Sequence, residues 1–136
     1  MSPTAKPAGY SGTPLPKKLG IKERTRVALI GAPPGFALGT LPEGAVLRRG
    51  ARGAADLTLW FVRSRRELEH DIRGMLPRSE NSGLWIVWAK KTSKLAADLN
   101  ENDVRDTGIA AGMVDFKVCA VYQDWSGLRF NRRKPA

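Results

Sequence analysis

The chain has 136 residues, of which 42% are hydrophobic and 26% are charged, a composition typical of a single globular domain with one modest core. Lysine and arginine outnumber aspartate and glutamate by 23 to 13, which gives a formal net charge of +10. One cysteine excludes an internal disulfide framework and a multi-cysteine zinc site. No apolar run approaches the length of about 20 residues that crosses a bilayer, and residues 1–10 lack the apolar centre of a signal peptide. We therefore expect a cytoplasmic protein without a membrane partner.

The basic residues are concentrated at the two ends of the chain. Residues 1–20 carry three lysines and no acid, and residues 129–136 carry four basic residues and no acid. The remaining segment, 21–128, holds 16 basic and 13 acidic residues and is close to balanced. Basic ends bind phosphate without sequence preference, and they equally often serve only solubility. Both interpretations stay open at this point.

The first segment differs in composition from the rest. Residues 1–20 contain four prolines and three glycines, which predicts an extended or disordered basic arm. Tyr10, Leu15, Leu19 and Ile21 could still hold part of this arm against the domain. We place the folded domain at residues 21–132 and a short basic tail at residues 133–136.

Six apolar segments predict β-strands, near residues 26–31, 45–49, 56–62, 84–88, 114–122 and 128–132. Between the third and the fourth lies an amphipathic helix with the apolar stripe Leu68, Ile72, Met75 and Leu76. Ser64 and Glu67 have the spacing of a helix N-terminal cap, and Pro77 is expected to end the helix. Two apolar strands joined by one helix predict parallel pairing through a right-handed crossover.

The last third of the chain predicts a second helix and a hairpin. Asn100 and Asp103 have the spacing of a helix cap, and Gly112 suits the residue after the helix. The next strand alternates, which predicts one shared face for Val114, Phe116, Val118 and Ala120. The predicted strand near residues 128–132 then runs back along it as an antiparallel hairpin. The hairpin has a free sheet edge, available to a protein partner or to a second copy in a homodimer. Cys119 lies in this hairpin and is interpreted as a small core residue.

The turn after the first strand, Gly31–Gly35, occupies the place where nucleotide-binding folds hold phosphate. Pro33 and Pro34 remove two backbone N–H groups that a phosphate would need, and neither a G-x-G-x-x-G nor a G-x-x-x-x-G-K-[ST] pattern is present. A structural turn is therefore favoured over a ligand loop. Pro34 is expected to begin a short helix through Leu38 that ends near Gly39.

No catalytic or metal-binding set can be selected from the sequence. His70 is the only histidine, and helical periodicity places it opposite the apolar stripe and in solvent. Neither a Ser-His-Asp nor a Cys-His set can be assembled around it, and nothing selects a pair of acids. Three tryptophans lie in buried strands, and only Trp125, expected in the hairpin turn, could offer a stacking face. We predict no catalytic residue and no metal site.

Basic residues follow three of the four parallel strands. The carboxyl ends of parallel strands lie along one edge of a sheet, where open α/β proteins bind ligands. The candidate ligand-binding residues there, called the basic rim below, are Gly31, Gly35, Arg48, Arg49, Arg63, Lys90 and Lys91. Such a rim favours a phosphate, a carboxylate or a nucleic-acid backbone. The alternative is that loops are polar and that a chain with 23 basic residues shows clusters by chance.

An α/β sheet that ends in an antiparallel hairpin resembles the Rossmann-like fold of S-adenosylmethionine-dependent methyltransferases. The resemblance covers about residues 26–132, with one strand-helix unit fewer than that fold usually has, and implies a single Rossmann-like domain. The segments GYSGTPLPKKLGI, RVALIGAPPGF, LTLWFVRSRRELE, GLWIVWAKK and AAGMVDFKVCAVYQDWSGLRF resemble a bacterial family of short α/β proteins known only as a domain of unknown function. The methyltransferase cofactor loop is an acid followed by G-x-G, from which LIGAPPG departs. Arg48 and Arg49 stand where that family has an acid.

Three functions follow as hypotheses. The leading one is a non-enzymatic binding or regulatory protein that recognises an anionic small molecule or partner on the basic rim. The second is an enzyme that acts on a nucleotide-like or S-adenosylmethionine-derived substrate, and only this one implies S-adenosylmethionine as cofactor. The third is a nucleic-acid accessory protein that uses its basic ends.

Overall fold

A computed structural model of the chain describes residues 14–50, 53–81, 83–90, 98–121 and 124–132. The helices in these ranges are α1 (Leu15–Leu19), α2 (Arg65–Asn81) and α3 (Glu101–Ala110). The strands are β1 (Arg26–Ile30), β2 (Val46–Arg49), β3 (Leu57–Phe61), β4 (Gly83–Ala89), β5 (Met113–Val121) and β6 (Trp125–Arg132). None of the described helices is long and apolar enough to cross a membrane.

The six strands form one sheet in the order β2-β1-β3-β4-β6-β5. Strands β1 to β4 pair in parallel, whereas β6 runs antiparallel to both β4 and β5. The predicted fold class, a mostly parallel α/β sheet that ends in an antiparallel hairpin, is confirmed. β5 forms one edge of the sheet, as the predicted hairpin edge requires, and a homodimer through it stays a prediction.

The sheet separates two apolar clusters, one on each face. On the first face, side chains such as Leu29, Leu59 and Trp85 pack with α1 and with residues of the segment between β1 and β2. On the second face, side chains such as Trp60 and Ile86 pack with α2 and α3. We call these the α1 face and the α2/α3 face. Both sides of β3 and β4 are buried, as expected for central parallel strands.

The expectation that residues 1–20 form an extended or disordered arm is wrong for Leu15–Leu19, which form helix α1. Leu15 and Leu19 are buried, and the indole Nε1 of Trp85 donates a 2.9 Å hydrogen bond to the carbonyl oxygen of Leu19. Gly20, in the left-handed region with φ 89°, ends the helix. A helix this short is stabilised by packing rather than by propensity, and composition is therefore a poor guide to it. Residues 1–13 and the predicted tail, 133–136, lie outside the described residues.

Helix α2 begins as predicted and ends later. The backbone N–H of Glu67 donates to Ser64 Oγ (3.0 Å), and Glu67 Oε1 accepts from the backbone N–H of Arg63 (2.7 Å), one residue before the expected donor. Pro77 does not end the helix, which continues to Asn81. Proline removes one intrahelical hydrogen bond, and the last turn is held instead by Arg78 Nη1, which donates to Thr58 Oγ1 on β3 (3.1 Å).

Strand β5 contains a bulge that changes which side chains share a face. Its register against β6 shifts between Asp115 and Lys117. Val114 therefore lies opposite Asn131, whereas Val118 lies opposite Leu128 on the α2/α3 face. Because an extra residue in one strand reverses the alternation, Val114 and Val118 lie on opposite faces, and their predicted shared face is wrong.

Helix α3 has the predicted capping box. The N–H of Asp103 donates to Asn100 Oδ1 (2.8 Å), and Asp103 Oδ2 accepts from the N–H of Asn100 (3.3 Å). Val104 and Gly108 are buried on its inner side. At Gly108 the helix approaches β6 so closely that a Cβ atom would overlap the ring of Phe130. The small residue is required by this packing.

Candidate functional site: a cleft at the carboxyl edge of the sheet

The loop after β1 passes directly over the end of β3. Gly31 has φ 73°, and a Cβ atom placed on it would lie 2.8 Å from the carbonyl oxygen of Phe61. Both the left-handed backbone and the close approach therefore require glycine. Gly35 also has a positive φ, 78°, but a Cβ atom there would meet no neighbour within 4 Å. Of the two predicted rim glycines, only Gly31 lies so close to a neighbouring strand that a side chain would clash with it.

Two arginines of the basic rim hold this loop from opposite sides. Arg63 Nη2 donates to the carbonyl oxygen of Gly31 (2.8 Å). Arg49 Nη1 and Nη2 donate to the carbonyl oxygens of Ala32 (3.2 Å) and Pro33 (3.1 Å). The guanidinium groups therefore fix the backbone of the loop and bring positive charge to it.

The short helix expected from Pro34 to Leu38 is not formed. The segment makes a turn in which the N–H of Phe36 donates to the carbonyl oxygen of Pro33 (3.1 Å). The carbonyl that would accept the first bond of such a helix is the one that also binds Arg49. The side chain of Arg49 on the neighbouring strand β2 thus binds the carbonyl group that the predicted helix would use.

The other basic residues of the rim have different neighbours. Arg48 points away from Arg49, as successive strand residues do, and donates to the carbonyl oxygen of Ala54 (3.0 Å). Lys90 continues from β4, and its N–H donates to the carbonyl oxygen of Asp124 (2.9 Å). Lys91 lies outside the described residues. The structure thus brings Arg49 and Arg63 together at one loop and gives Arg48 another partner.

A cleft of about 210 Å³ opens beside Arg63, lined by Pro33, Val62, Arg63, Ala89 and Trp125. These residues follow β1, β3 and β4 or begin β6. The cleft therefore lies at the carboxyl edge next to the β1–β3 pair, where the strand order reverses and open α/β sheets bind ligands. Of the described residues that line it, Arg63 is charged and the other four are apolar or aromatic.

Trp125 is a candidate residue whose predicted position in the hairpin turn is wrong. It begins β6 and is 9% exposed, instead of standing in the hairpin turn as a stacking platform. Its ring meets that of Phe61 edge-to-face, with centroids 5.2 Å apart, and Phe61 meets Phe36 in the same way at 4.9 Å. This aromatic row forms a rigid support behind the cleft.

The start of α2, at the same edge, does not offer its backbone to an anion. The N–H groups of Arg63, Arg65 and Glu67 donate to Glu67 Oε1, Asp98 Oδ1 and Ser64 Oγ. Helix N-termini bind phosphate through such N–H groups, and here the chain's own side chains satisfy them. The positive group that reaches the cleft is the side chain of Arg63.

Two further observations bear on catalysis. The side chain of His70 is 83% exposed, as predicted, and its Nδ1 lies 2.7 Å from Asp71 Oδ1 on the surface of α2. In the described ranges, no three His, Cys, Asp or Glu side chains are grouped so that they would hold a metal ion. Within the part of the chain that the structure describes, neither a histidine nor a carboxylate lines the cleft.

Solved structures with a similar backbone are S-adenosylmethionine-dependent methyltransferases. A SAM-dependent methyltransferase from Aquifex aeolicus superposes with a TM-score of 0.56 at 14% identity, over 84% of this chain and 85% of the other. The fold is that of a methyltransferase-like Rossmann domain. This confirms the resemblance read from the order of elements, and at 14% identity it concerns the fold alone.

Two larger methyltransferases are also similar. Magnesium protoporphyrin IX methyltransferase from Synechocystis PCC 6803 has a TM-score of 0.45 at 15% identity over 72% of this chain. N,N-8-amino-8-demethyl-D-riboflavin dimethyltransferase from Streptomyces davawensis has a TM-score of 0.48 at 14% identity over 81%. The chain spans 54% and 50% of their lengths. No family model and no curated protein matches the sequence.

Proposed function

We propose that the protein is a binding module for a small anionic compound, which it holds in the cleft beside Arg63. The observation that carries this proposal is a cleft at the switch point of the sheet whose described lining residues are Arg63 and four apolar or aromatic residues. A guanidinium has five N–H donors, and the bond to the carbonyl oxygen of Gly31 uses one of them. A carboxylate or phosphate would find both charge and directed donors there.

The size of the cleft limits the ligand. Its volume of about 210 Å³ corresponds to about seven water molecules at roughly 30 Å³ each. Clefts for drug-sized ligands have about 300–1,000 Å³. The compound is therefore compact, with a carboxylate or phosphate on Arg63 and a small apolar part against Val62, Ala89 and Trp125. A whole adenosyl cofactor would extend beyond the cleft.

Thermal unfolding at low salt tests the proposal, with phosphate, small aliphatic and aromatic carboxylates, nucleotides, S-adenosylmethionine and S-adenosylhomocysteine as probes. A ligand at about 100 times its dissociation constant adds about 2.7 kcal/mol of stability, which corresponds to several degrees for this chain length. We expect a compact anion to raise the Tm of the wild type and of Arg66→Met, an exposed position on α2, but not that of Arg63→Met.

A second control separates ligand binding from loop anchoring. Arg63→Met also removes the hydrogen bond to Gly31, so its effect alone is ambiguous. Arg49→Met removes two bonds to the same loop and leaves the cation of the cleft in place. We expect Arg49→Met to lower the Tm of the free protein and to keep the ligand-induced shift. A shift that survives in Arg63→Met, or no shift with any anion of the panel, would refute the proposal.

A second candidate function is an enzyme on an S-adenosylmethionine-derived substrate, favoured by the fold shared with the Aquifex aeolicus methyltransferase. Pro33 and Pro34 in the first loop, and Arg49 bound across it, weigh against it. Calorimetric titration with S-adenosylhomocysteine distinguishes the two functions. Micromolar binding that a small anion does not displace would favour the enzyme, and displacement by the compact anion would favour the binding module.

A further inference from the structure

The charges of the protein are unevenly distributed between the two-helix layer and the rest of the domain. The segments 65–81 and 98–111, which carry α2 and α3, hold eight acidic and five basic residues, a net charge of −3. The other described residues hold 5 acidic and 12 basic residues, a net charge of +7. Because α2 and α3 cover one face, most of the acids lie there, and the remaining surface is left strongly positive.

Three lysines from separate elements each act electrostatically on the thiol of Cys119. Lys18 lies on α1, Lys90 follows β4 and Lys117 lies on β5; we call these three the lysine patch. Lys117 Nζ donates a 2.7 Å hydrogen bond to the carbonyl oxygen of Lys18, which ties the edge strand to α1. Between them is the buried Cys119, whose pKa is raised by burial and lowered in smaller measure by the charges of all three lysines. The patch depends on α1 being folded.

The surroundings of the patch indicate the kind of partner. Lys117 is exposed, Lys18 and Lys90 are half-buried, and none of the three is among the described residues that line the cleft. Lysine ammonium groups act as point charges, which suits a repeated phosphate backbone better than one planar group. Exposed aromatic or leucine side chains beside the bases strengthen binding to a membrane surface. The large hydrophobic residues exposed in the described ranges are Val46, Ile109, Val114 and Val118.

We propose that the lysine patch binds the phosphate backbone of a nucleic acid, without reading its sequence. This surface is distinct from the cleft and from the basic ends of the chain, since its three lysines belong to the folded domain. The acidic α2/α3 layer is turned away from the nucleic acid, which lowers the repulsion that a uniformly distributed set of acids would cause.

Fluorescence anisotropy with labelled 20-nucleotide RNA and DNA of mixed sequence, between 50 and 200 mM salt, tests this proposal on the full chain. The double variant Lys90→Gln/Lys117→Gln is compared with Arg66→Gln/Arg73→Gln, two exposed positions on α2 that give the same change in net charge. Each lost phosphate contact reduces the slope of log K against log salt by about 0.7–0.9. We expect the patch variant to lose about 1.4–1.8 from this slope and at least about tenfold in affinity at 100 mM salt.

The control variant is expected to keep the wild-type slope, and circular dichroism is expected to show that both variants fold. Equal slopes and affinities for the two double variants would overturn the proposal, because binding would then follow net charge and not the patch. Loss of binding after removal of residues 1–13 and 133–136 from the wild type would also overturn it, in favour of the basic ends. Binding to phosphatidylserine vesicles without binding to nucleic acid would assign the surface to a membrane. None of these variants alters Arg63, and a small anion that still raises the Tm of Lys90→Gln/Lys117→Gln would show that the cleft is intact in that variant.

Discussion

The close contact between α3 and β6 predicts that replacing Gly108 by alanine destabilises the protein, although the same substitution inside a helix is usually stabilising. Replacing a helix-interior glycine by alanine normally stabilises a protein by about 0.5–1 kcal/mol. Here the added Cβ would overlap the ring of Phe130, which is fully buried in the core. Forcing an extra carbon into a packed core costs about 1–3 kcal/mol. We therefore expect Gly108→Ala to lower the free energy of unfolding by about 1–2 kcal/mol, a fall in Tm of roughly 3–10 °C.

Gly74 provides the matched control, since it lies inside α2 and a Cβ there would meet no atom within 4 Å. Gly74→Ala is expected to raise the free energy of unfolding by about 0.5–1 kcal/mol. Urea denaturation of both variants, followed by circular dichroism in one buffer, compares them directly. A double-mutant cycle of Gly108→Ala with Phe130→Leu is expected to show favourable coupling. If Gly108→Ala stabilises the protein as Gly74→Ala does, the close approach of α3 to β6 is refuted.

Three further predictions concern other parts of the fold. Leu19→Ala should cost about 2–5 kcal/mol in urea denaturation because Leu19 is fully buried, whereas the exposed Lys17→Ala should change stability by less than about 0.5 kcal/mol; equal effects would contradict the packing of α1. The side-chain and backbone hydrogen bonds from Arg26 lower the pKa of Asp56, so the stability that this carboxylate contributes is present at neutral pH and is lost as the pH falls through the lowered value. The wild type should therefore lose its advantage over Asp56→Asn between pH 6 and pH 2, and a constant difference would contradict this. Burial raises the pKa of Cys119, and we expect a thiol reagent at pH 7 to modify it only as the protein unfolds; rapid modification of the native protein would argue against its burial.

The parts of the fold that the sequence predicted correctly have local signals. The buried runs of β3 and β4 and the caps at Ser64 and Asn100 each lie within a few neighbouring residues, and their interpretation needs no knowledge of distant contacts. The order of these elements was then enough to predict the parallel sheet and its terminal hairpin. Backbone topology follows from local pattern because right-handed crossovers leave few alternatives.

The errors came from contacts between residues distant in the sequence. Pro77 does not end α2, whose last turn is anchored to Thr58 on β3. Helix α1 is held by Trp85, 66 residues away from Leu19, which composition cannot indicate. The bulge in β5 reverses the face of its second half, and a regular alternation in the sequence conceals it.

The candidate site was only partly predictable for a related reason. Strand ends located Arg49 and Arg63 at the correct edge, but the direction of each side chain decides which atoms it binds. Arg48 and Arg49 are adjacent in sequence and have separate partners because the pleat turns them apart. Trp125 was expected in the hairpin turn, since the last strand was predicted to begin at residue 128, whereas β6 begins at Trp125 and buries its ring.

Each of the two core clusters contains two tryptophans, so tryptophan fluorescence can report on the unfolding of each cluster separately. Trp85 and Trp125 belong to the α1 face, and Trp60 and Trp88 belong to the α2/α3 face. Variants that keep the tryptophans of one face and carry phenylalanine at the other two positions would emit from one layer each. Coincident emission curves during denaturation would show that both layers melt as one cooperative unit. Earlier melting on the α1 face would mean that the layer beneath the cleft loosens while the opposite layer stays folded.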